Sequence, residues 1–402
     1  MYEAIPVKKD IFWVGANDHE TDLFESLWPL PRGVSYNAYL VVGEKTALID
    51  TVKSSSMNVL IDKIEAVIGK RPLDYLVVNH MEPDHSGSMK VLKAIYPELK
   101  IVGNAQTKGM FESFYALTDD IVVVKEGDVL DLGGHQLRFH MIPMVHWPET
   151  MVAYDLESKV LFTCDAFGGF GTLDGGIFDD EVDMGFYEDE ILRYFSNIVG
   201  RYSPQVQKAI EKLKGLEIAV IAPSHGPVHR RNPAKIVALY DRWSRHVSEC
   251  GAVVVYGSMY GHTQRMAEAV ARAMAEEGIE RIIVHDVSRS HVSYVVKDIW
   301  RFRGLVLASC TYNMTLFPPL ATLLEHLRNK MLKDRLVGLC GSYTWAQSVA
   351  LKSLLEFAHS GGWELVDPQV EMKSAPNRAV LEACSLLGKN MAGRLKACDG
   401  RA

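Results

Sequence analysis

Residues 79–85, Asn79-His80-Met81-Glu82-Pro83-Asp84-His85, place four metal-binding side chains within six positions of the chain. The stretch follows the apolar run Tyr75-Leu76-Val77-Val78, which is typical of a buried strand, so these side chains are expected on a loop at the strand's end. In an extended loop, the alternate positions 80, 82 and 84 would face one metal ion, and the residue at 85 would serve a second. Two carboxylates and two imidazoles are a harder ligand set than zinc's usual cysteines and histidines, which favours iron or manganese.

The composition is that of a globular chain long enough for two or three domains. The chain has 402 residues, and 48% of them are apolar, which is enough for a sizeable buried core. The formal net charge is −7, and no basic block compensates it. This balance argues against nucleic acid as the main partner.

The cysteines and the apolar runs indicate where the protein works. The six cysteines are scattered and none forms a Cys-x-x-Cys pair, which argues against a rubredoxin-type module, a zinc ribbon or a disulfide framework. The first ten residues are polar and charged, and no apolar run reaches the length of a membrane span. We therefore expect a soluble cytoplasmic protein with no membrane segment.

Two blocks of different pattern divide the chain, residues 1–249 and residues 250–402. The first block mixes strand hairpins with helices, including a strand over 36–42 and a long amphipathic helix over 188–214. This mixture predicts two sheets with helices outside them. From Gly251 strand and helix alternate regularly, which predicts a doubly wound parallel sheet of flavodoxin size.

Three later residues could complete a metal site: His146, Asp165 and His225. Each is ambiguous alone, because a single histidine is more often a hydrogen-bonded structural residue and a single aspartate can cap a turn. Together with the first stretch they could form a site with no net charge. Glu82, Asp84 and Asp165 supply −3, two ferrous ions supply +4, and one bridging hydroxide supplies the remaining −1. Asp165 is the natural bridge, because its two oxygens can each bind one of two metals roughly 3.5–4 Å apart.

Three loops of the second block form another constellation. Residues 256–263, Tyr-Gly-Ser-Met-Tyr-Gly-His-Thr, lie between a strand and a helix, where backbone N–H groups, hydroxyls and the helix dipole can hold a phosphate. There is no Gly-x-Gly-x-x-Gly, so a dinucleotide is not indicated. Residues 309–313 and 341–345 each follow a strand and offer hydrogen-bonding groups and aromatics for an isoalloxazine ring.

The three loops therefore predict an FMN site. The residues expected to contact FMN are Ser258, Met259, Tyr260, Gly261, His262, Thr263, Thr311, Tyr312, Asn313, Ser342, Tyr343, Thr344 and Trp345. In this set His262 could add a phosphate contact. Trp345 could alternatively be a core aromatic.

The metal-binding residues carry a resemblance to a known family. They are His80, Glu82, Asp84, His85, His146, Asp165 and His225. Their types and order resemble the diiron ligands of the flavodiiron proteins, in which a metallo-β-lactamase-like domain is fused to a flavodoxin-like domain. Glu82 makes the resemblance specific, because zinc hydrolases of the same fold carry a histidine there. The resemblance implies an αββα sandwich of the metallo-β-lactamase type, followed by a flavodoxin-like doubly wound parallel sheet.

It also implies two iron positions that share one carboxylate. The first position is formed by His80, Glu82 and His146. The second is formed by Asp84, His85 and His225, and the shared carboxylate is Asp165. In some members the residue at the His85 position swings away from the metal. Tyr194 resembles a tyrosine near the diiron pocket, or is an aromatic on the buried face of a helix. Thr344 stands where the family has a glycine.

The function implied by the resemblance is an oxidoreductase that reduces dioxygen to water, nitric oxide to nitrous oxide, or both. Electrons would arrive through FMN from rubredoxin or another small carrier, with a reduced deazaflavin as the alternative donor. In the family the FMN of one chain faces the diiron site of the other, which implies a head-to-tail homodimer or a dimer of dimers. Two other classes stay open: a binuclear zinc hydrolase with an accessory flavodoxin-like domain, and a redox relay or oxygen-sensing module with a structural metal.

Overall fold

The computed structural model describes residues 3–117 and 121–399. The chain forms two compact units, Met1–Asp241 and Arg242–Ala402. The division falls inside the helix Pro233–Ser244, whereas the sequence pattern changes at residue 249, and the domain boundary at 249 stays a prediction. Among the helices that the structure describes, none combines the length and the apolar character needed to span a membrane.

The first unit contains short strands and mostly short helices. Its described strands are β1 (Ile5–Lys8), β2 (Ile11–Trp13), β3 (Ala16–Asp18), β4 (Leu23–Phe24), β5 (Trp28–Pro29), β6 (Val34–Tyr36), β7 (Tyr39–Val42), β8 (Thr46–Ile49), β9 (Tyr75–Val77), β10 (Lys100–Gly103), β11 (Val122–Val123), β12 (Val129–Asp131), β13 (Gln136–Met141), β14 (Met151–Asp155), β15 (Val160–Cys164) and β16 (Val220–Pro223). Its described α-helices are α1 (Met57–Ile68), α2 (Pro83–Ser86), α3 (Met89–Ile95), α4 (Ala105–Tyr115), α5 (Met184–Tyr194), α6 (Ser203–Leu213) and α7 (Pro233–Ser244).

Two sheets make up the body of this unit. One has the order β1-β2-β7-β8-β9-β10-β11, and the other has the order β12-β13-β14-β15-β16. Inward side chains of both sheets, such as Val41 and Val77 from the first and Phe139 and Phe162 from the second, belong to one buried core. Helices cover the outer faces with apolar stripes like that of α1, in which Leu60, Ile64 and Ile68 are buried. The predicted sandwich of two sheets with helices outside is confirmed.

The strand directions bring several loops to one edge of the sandwich. β9 pairs in parallel with β8 and β10 in the first sheet, and β15 pairs in parallel with β16 in the second. The loops that leave the carboxyl ends of β9, β13, β15 and β16 carry the predicted metal-binding residues. Loops at such edges are free of packing constraints and can present side chains to a common point.

The second unit is a single sheet with helices around it, and all of its strands are parallel except the short Thr315–Leu316. Its described strands are β17 (Glu249–Gly257), β18 (Ile282–Asp286), β19 (Phe302–Tyr312), β20 (Thr315–Leu316), β21 (Leu336–Tyr343), β22 (Glu364–Leu365) and β23 (Val370–Lys373). Its described helices are α8 (His262–Glu276), α9 (Val292–Arg301), α10 (Pro318–Lys330), α11 (Val349–Ser360) and α12 (Arg378–Asp399). The parallel order β18-β17-β19-β21, extended by β22 and β23 beside β21, is the doubly wound order expected from the sequence.

Two predicted elements are interrupted. The strand over 36–42 divides into β6 and β7 around Asn37. The helix over 188–214 is also wrong as a single element, because α5 gives way to a π-helical turn at Phe195–Val199 before α6 begins. Pro204 stands in the first turn of α6, where its missing N–H and fixed φ favour a helix start over a helix interior.

Candidate metal centre and flavin site

Side chains from both sheets converge at one edge of the first unit. They are the predicted metal-binding residues His80, Glu82, Asp84, His85, His146, Asp165 and His225. The first four follow β9 and enter α2. His146 lies in the connection between β13 and β14, Asp165 lies directly after β15, and His225 lies just after β16.

The converging atoms form two groups. One consists of His80, Glu82, His146 and Asp165, and the other of Asp84, His85 and His225, with the atoms of each group within 4.8 Å of one another. The expectation that positions 80, 82 and 84 face one metal is therefore wrong. The helix α2 begins at Pro83, so the chain turns after Glu82 and alternate positions no longer lie on the same side.

Asp165 lies between the two groups. Its Oδ2 is 3.3 Å from Nε2 of His80 and 3.1 Å from Nε2 of His146. Its Oδ1 is 3.0 Å from Nε2 of His85 and 3.4 Å from Nε2 of His225. Each carboxylate oxygen thus faces a different group, which is the arrangement of a carboxylate that bridges two metals.

Many of these facing atoms are buried without a hydrogen bond. Within residues 3–117 and 121–399, no hydrogen-bond partner is found for either oxygen of Asp84 or Asp165, or for Nε2 of His85, His146 and His225. These atoms face one another as ion pairs at 3.0–3.5 Å, but buried polar atoms without a well-formed hydrogen bond are costly, and native structures contain few of them. Imidazole nitrogens and carboxylate oxygens aimed at common centres fit a pair of metal ions, which would satisfy all of these atoms at once.

The charges of the cluster are mutually stabilised. Burial alone would lower the pKa of His146, but its contacts with Asp165 and Glu82 raise that pKa to about 9. Burial would also lower the pKa of His225, and contacts with Asp165 and Asp84 raise it to about 10. Burial would raise the pKa of Asp165, but the surrounding histidines hold it well below its usual range. Metal ions would therefore displace protons when they bind.

A carboxylate that the sequence analysis missed supports one of the histidines. Glu149 is fully buried, and its Oε1 accepts hydrogen bonds from Nδ1 of His80 at 2.7 Å and from the backbone N–H of Met81 at 2.8 Å. The only sequence signal is its place three residues after His146, in His-Trp-Pro-Glu. The bond fixes the ring so that Nε2, on its other side, points into the metal cluster.

The loop that carries His225 is held by β6 and the residue that follows it. Nδ1 of His225 donates to the backbone oxygen of Ser35 at 2.7 Å, and the hydroxyl of Ser35 accepts from the backbone N–H of Gly226 at 2.8 Å. The side chain of Asn37 donates to the carbonyl oxygens of Pro223 and Gly226, both at 2.9 Å. The break at Asn37 between two strands therefore positions a metal ligand.

An aromatic wall borders the second group. Tyr194 is fully buried on α5, and its ring centroid is 5.6 Å from that of His225. Phe24 of β4 lies 5.2 Å from the same imidazole, and Phe24 and Phe170 both make edge contacts with Tyr194. Tyr194 is a buried helix residue and also lies beside the cluster, and its role in the pocket stays a prediction. Phe24 and Phe170 carried no sequence signal that could have identified them.

The predicted phosphate loop lies where β17 gives way to α8. Gly261 precedes the helix with φ +82°, a conformation that side chains other than glycine rarely adopt, and its N–H donates to the Ser258 hydroxyl at 3.0 Å. The hydroxyls of Thr263 and Ser342 are 2.9 Å apart, so the first and third loops meet. Nδ1 of His262 is buried without a hydrogen-bond partner among the described residues.

The other predicted flavin residues lie on the neighbouring strand ends. Thr311 and Tyr312 of the middle loop are the last two residues of β19. The hydroxyl of Thr311 is likewise buried and without a partner in the described part of the chain. Tyr260 and Trp345 are 86% and 87% exposed. Trp345 is therefore not a core aromatic, and both rings are available to a ligand or a partner. Asn313, Ser342, Tyr343 and Thr344 follow in the same two loops.

Comparisons with known proteins match both units. A family model described as ODP family beta lactamase matches residues 34–226, and one described as flavodoxin matches residues 254–387. The nitric oxide reductase of Moorella thermoacetica is 33% identical over 98% of this chain and 100% of its own length. The rubredoxin oxygen:oxidoreductase of Desulfovibrio gigas is 30% identical, with a TM-score of 0.93 over 98% of this chain and 99% of that chain.

The chain belongs to the flavodiiron proteins. A solved structure that bears this name, from Giardia intestinalis, is 26% identical and has a TM-score of 0.94 over 99% of this chain and 98% of that one. Membership confirms the fold that the sequence predicted, a metallo-β-lactamase-like sandwich followed by a flavodoxin-like sheet. It also favours an oxidoreductase over the binuclear zinc hydrolase for this flavodiiron protein.

Proposed function

We propose that this flavodiiron protein reduces dioxygen to water, nitric oxide to nitrous oxide, or both, at a non-haem diiron site, with electrons passed through FMN. The observation that carries the proposal is the position of Asp165 between two groups of buried ligand atoms, in a chain that also has a flavodoxin-type unit. The names of two relatives, a nitric oxide reductase and a rubredoxin oxygen:oxidoreductase, support it.

The metal ligands are proposed in two sets with one shared member. The first set is His80, Glu82 and His146, and the second is Asp84, His85 and His225, with Asp165 common to both. Two bound irons would supply adjacent redox-active centres that can take up a diatomic gas and transfer electrons to it. The three carboxylates keep the buried charge of the site close to neutral, and Asp165 fixes the spacing of the two positions.

Residues around the cluster would control what reaches it. The rings of Phe24, Phe170 and Tyr194 form a buried wall beside His225, which excludes bulk water from that side. Burial, reinforced by the charge of Asp165, raises the pKa of Tyr194 well above its usual value. Its hydroxyl therefore stays protonated and can donate a hydrogen bond into the pocket, which is the role we propose for it.

FMN is the proposed cofactor of the second unit. We assign its phosphate to the loop Ser258–Thr263, where the Ser258 and Thr263 hydroxyls, the backbone and the start of α8 can surround an anion. The unpartnered Nδ1 of His262 fits a contact with that phosphate, and the unpartnered hydroxyl of Thr311 fits one with the flavin rim. The exposed rings of Tyr260 and Trp345 offer stacking faces, and the rest of the predicted FMN residues lie in the same three loops.

The oligomer and the deazaflavin donor are proposed from the family resemblance, and the name of the Desulfovibrio gigas relative also supports a rubredoxin-type carrier. We propose a head-to-tail homodimer, alone or as a dimer of dimers, in which FMN of one chain serves the metal centre of the other. Rubredoxin or a similar small carrier would supply electrons, with a reduced deazaflavin as the alternative donor. A cytoplasmic location stays a prediction from the sequence.

Parallel gas-consumption assays test the function. Protein with about two irons and one FMN per chain, reduced under argon, should consume dioxygen, nitric oxide or both catalytically. Asp165→Asn should abolish consumption of both gases while FMN is still bound and reduced. Asp131→Asn is a matched control, because Asp131 is an exposed residue at the end of β12 that accepts from the Gly133 N–H. Iron-loaded protein that consumes neither gas would refute the function.

The dimer has its own test. A chain that cannot bind FMN, with Ser258 and Thr263 replaced by alanine, is mixed with one that cannot bind iron, with His80 and Asp84 replaced. Heterodimers should regain one working pair of sites. Verified heterodimers without any recovered activity would contradict the head-to-tail arrangement.

A further inference from the structure

The two proposed metal positions have different surroundings. In the first, the imidazole of His80 is backed by the fully buried carboxylate of Glu149, whose Oε1 lies 2.7 Å from Nδ1. In the second, Nδ1 of His225 donates to the neutral backbone oxygen of Ser35 at 2.7 Å. Nδ1 of His85 has no hydrogen-bond partner among the described residues.

We propose that Glu149 is a positioning residue that makes the two positions inequivalent, so that the one formed by His80, Glu82 and His146 binds its metal first and more tightly. The inference rests on the proposed ligand set. It concerns a residue outside that set, and it adds an order of loading that the function alone does not require.

The first reason is geometric. A carboxylate can only accept, so its bond requires the proton of His80 to be on Nδ1 and leaves the lone pair of Nε2 free to bind a metal. The Met81 N–H donates to the same Oε1 at 2.8 Å, and the backbone oxygen of Glu149 accepts from the Asn104 side chain at 2.5 Å. One oxygen of the carboxylate and the backbone oxygen of the same residue are thus both held before any metal arrives.

The second reason is charge. The first position has Glu82 as a ligand and Glu149 behind a ligand, whereas the second has only Asp84 besides the shared Asp165. A buried negative charge behind an imidazole increases the electron density on its metal-binding nitrogen and attracts a cation through a medium of low dielectric. Asp50, another buried carboxylate, interacts more strongly with His85 than with His80, but the hydrogen bond it accepts comes from the backbone N–H of Asn79, so unlike Glu149 it is not bonded to a ligand imidazole.

Cobalt is a suitable probe, because Co²⁺ binds the same ligands, is visible in the absorption spectrum and scatters X-rays anomalously. Metal-free wild-type protein is crystallised with one equivalent of Co²⁺, and the anomalous signal locates the ion. We expect it beside His80, Glu82 and His146. An ion beside Asp84, His85 and His225, or an equal distribution, would overturn the proposal. This measurement needs no variant and is unaffected by any failure to fold.

A charge-removing variant tests the cause. In Glu149→Gln the amide oxygen of the new side chain can keep both hydrogen bonds that Oε1 accepts. The charge is lost, and the buried Oε2, which has no partner among the described residues, becomes an NH2 group. Competitive Co²⁺ titration should show one of two affinities weakened by about 10–100-fold and the other unchanged. Equal weakening of both affinities, or of neither, would show that the residue is merely structural and would refute the inference.

The chain offers a matched control for that variant. Glu126 also accepts from a histidine Nδ1, that of His140 at 2.8 Å, and from the next backbone N–H, that of Met141 at 2.8 Å, but it lies outside the metal site. Glu126→Gln should leave both cobalt affinities at the wild-type values. If cobalt fills the first position before the second in a protein that reduces neither gas, the proposed function is refuted and this inference stands. If cobalt fills both positions equally in an active enzyme, this inference is refuted and the proposed function stands.

Discussion

Metal binding to the cluster should release protons, and the structure gives the number. In the metal-free protein His146 has a pKa of about 9 and His225 a pKa of about 10, so both are protonated at pH 7. The pKa values of His80 and His85 are also raised, by contacts with Glu149 and Glu82 for the first and with Asp84 and Asp165 for the second, both against the effect of burial. A metal needs the neutral imidazole, so every bound histidine must lose a proton.

The sign and size of the pH dependence follow from this count. Because the metal-free form binds more protons, lower pH favours it, and metal affinity rises with pH until the histidines titrate near pH 9–10. Each released proton changes an apparent affinity tenfold per pH unit, so His146 gives the first position, and His225 the second, a change of roughly 10-fold per unit below that range. The overall constant for binding both metals then changes by roughly 100-fold per unit. Protonated His80 and His85 would steepen it further.

Two assays measure the effect. Metal-free protein in weak buffer with a pH indicator is mixed with two equivalents of Co²⁺ at pH 7, and at least two protons per chain should appear. Competitive titrations at pH 6.5 and 7.5 should give the corresponding slope. His140→Gln, which alters an imidazole paired with Glu126 outside the cluster, should change neither result. Release of fewer than one proton per chain, or a flat affinity, would refute the charge assignment of the cluster.

Three further predictions concern the metal, the flavin and the electron donor. Glu82→His should shift the site toward zinc and abolish reduction of both gases, which metal analysis and gas electrodes measure; a native protein that is fully active with zinc alone would sink the iron assignment. Replacing Ser258 and Thr263 by alanine should weaken FMN binding by about 10–100-fold for each charge-assisted hydrogen bond that is lost, which a titration followed by flavin fluorescence measures. Ser288→Ala, in the loop before α9, is the control, and an unchanged FMN affinity in the double variant would show that the phosphate binds elsewhere. NADH alone should be a poor electron donor, and rubredoxin with its reductase should restore turnover at a rate that falls with added salt. Rapid turnover with NADH alone would count against a separate carrier.

The residues that follow strands were the most predictable part of the site. A buried apolar strand such as β9 is visible as a run of consecutive apolar residues, and the polar residues after it must lie on a loop, so local pattern alone placed His80 and Glu82. The doubly wound second unit was predictable for the same reason, because strands and helices of regular spacing each carry their own periodicity. The break in the 188–214 helix was not, since its apolar spacing continues through the π-helical turn at Phe195–Val199.

The sequence by itself determined the ligand types, the loops that carry them and the two kinds of sheet, because residue chemistry and hydrophobic periodicity are local properties. Local alternation alone put Asp84 on the wrong metal position, which the family resemblance avoided, and the tertiary structure gives the reason, since the turn at Pro83 separates Asp84 from Glu82. Only the tertiary structure revealed Glu149 behind His80, 69 residues away, and Ser35 behind His225, 190 residues away. Such contacts depend on how distant strands meet at one sheet edge, and a partner chosen by packing leaves no periodic trace in the chain.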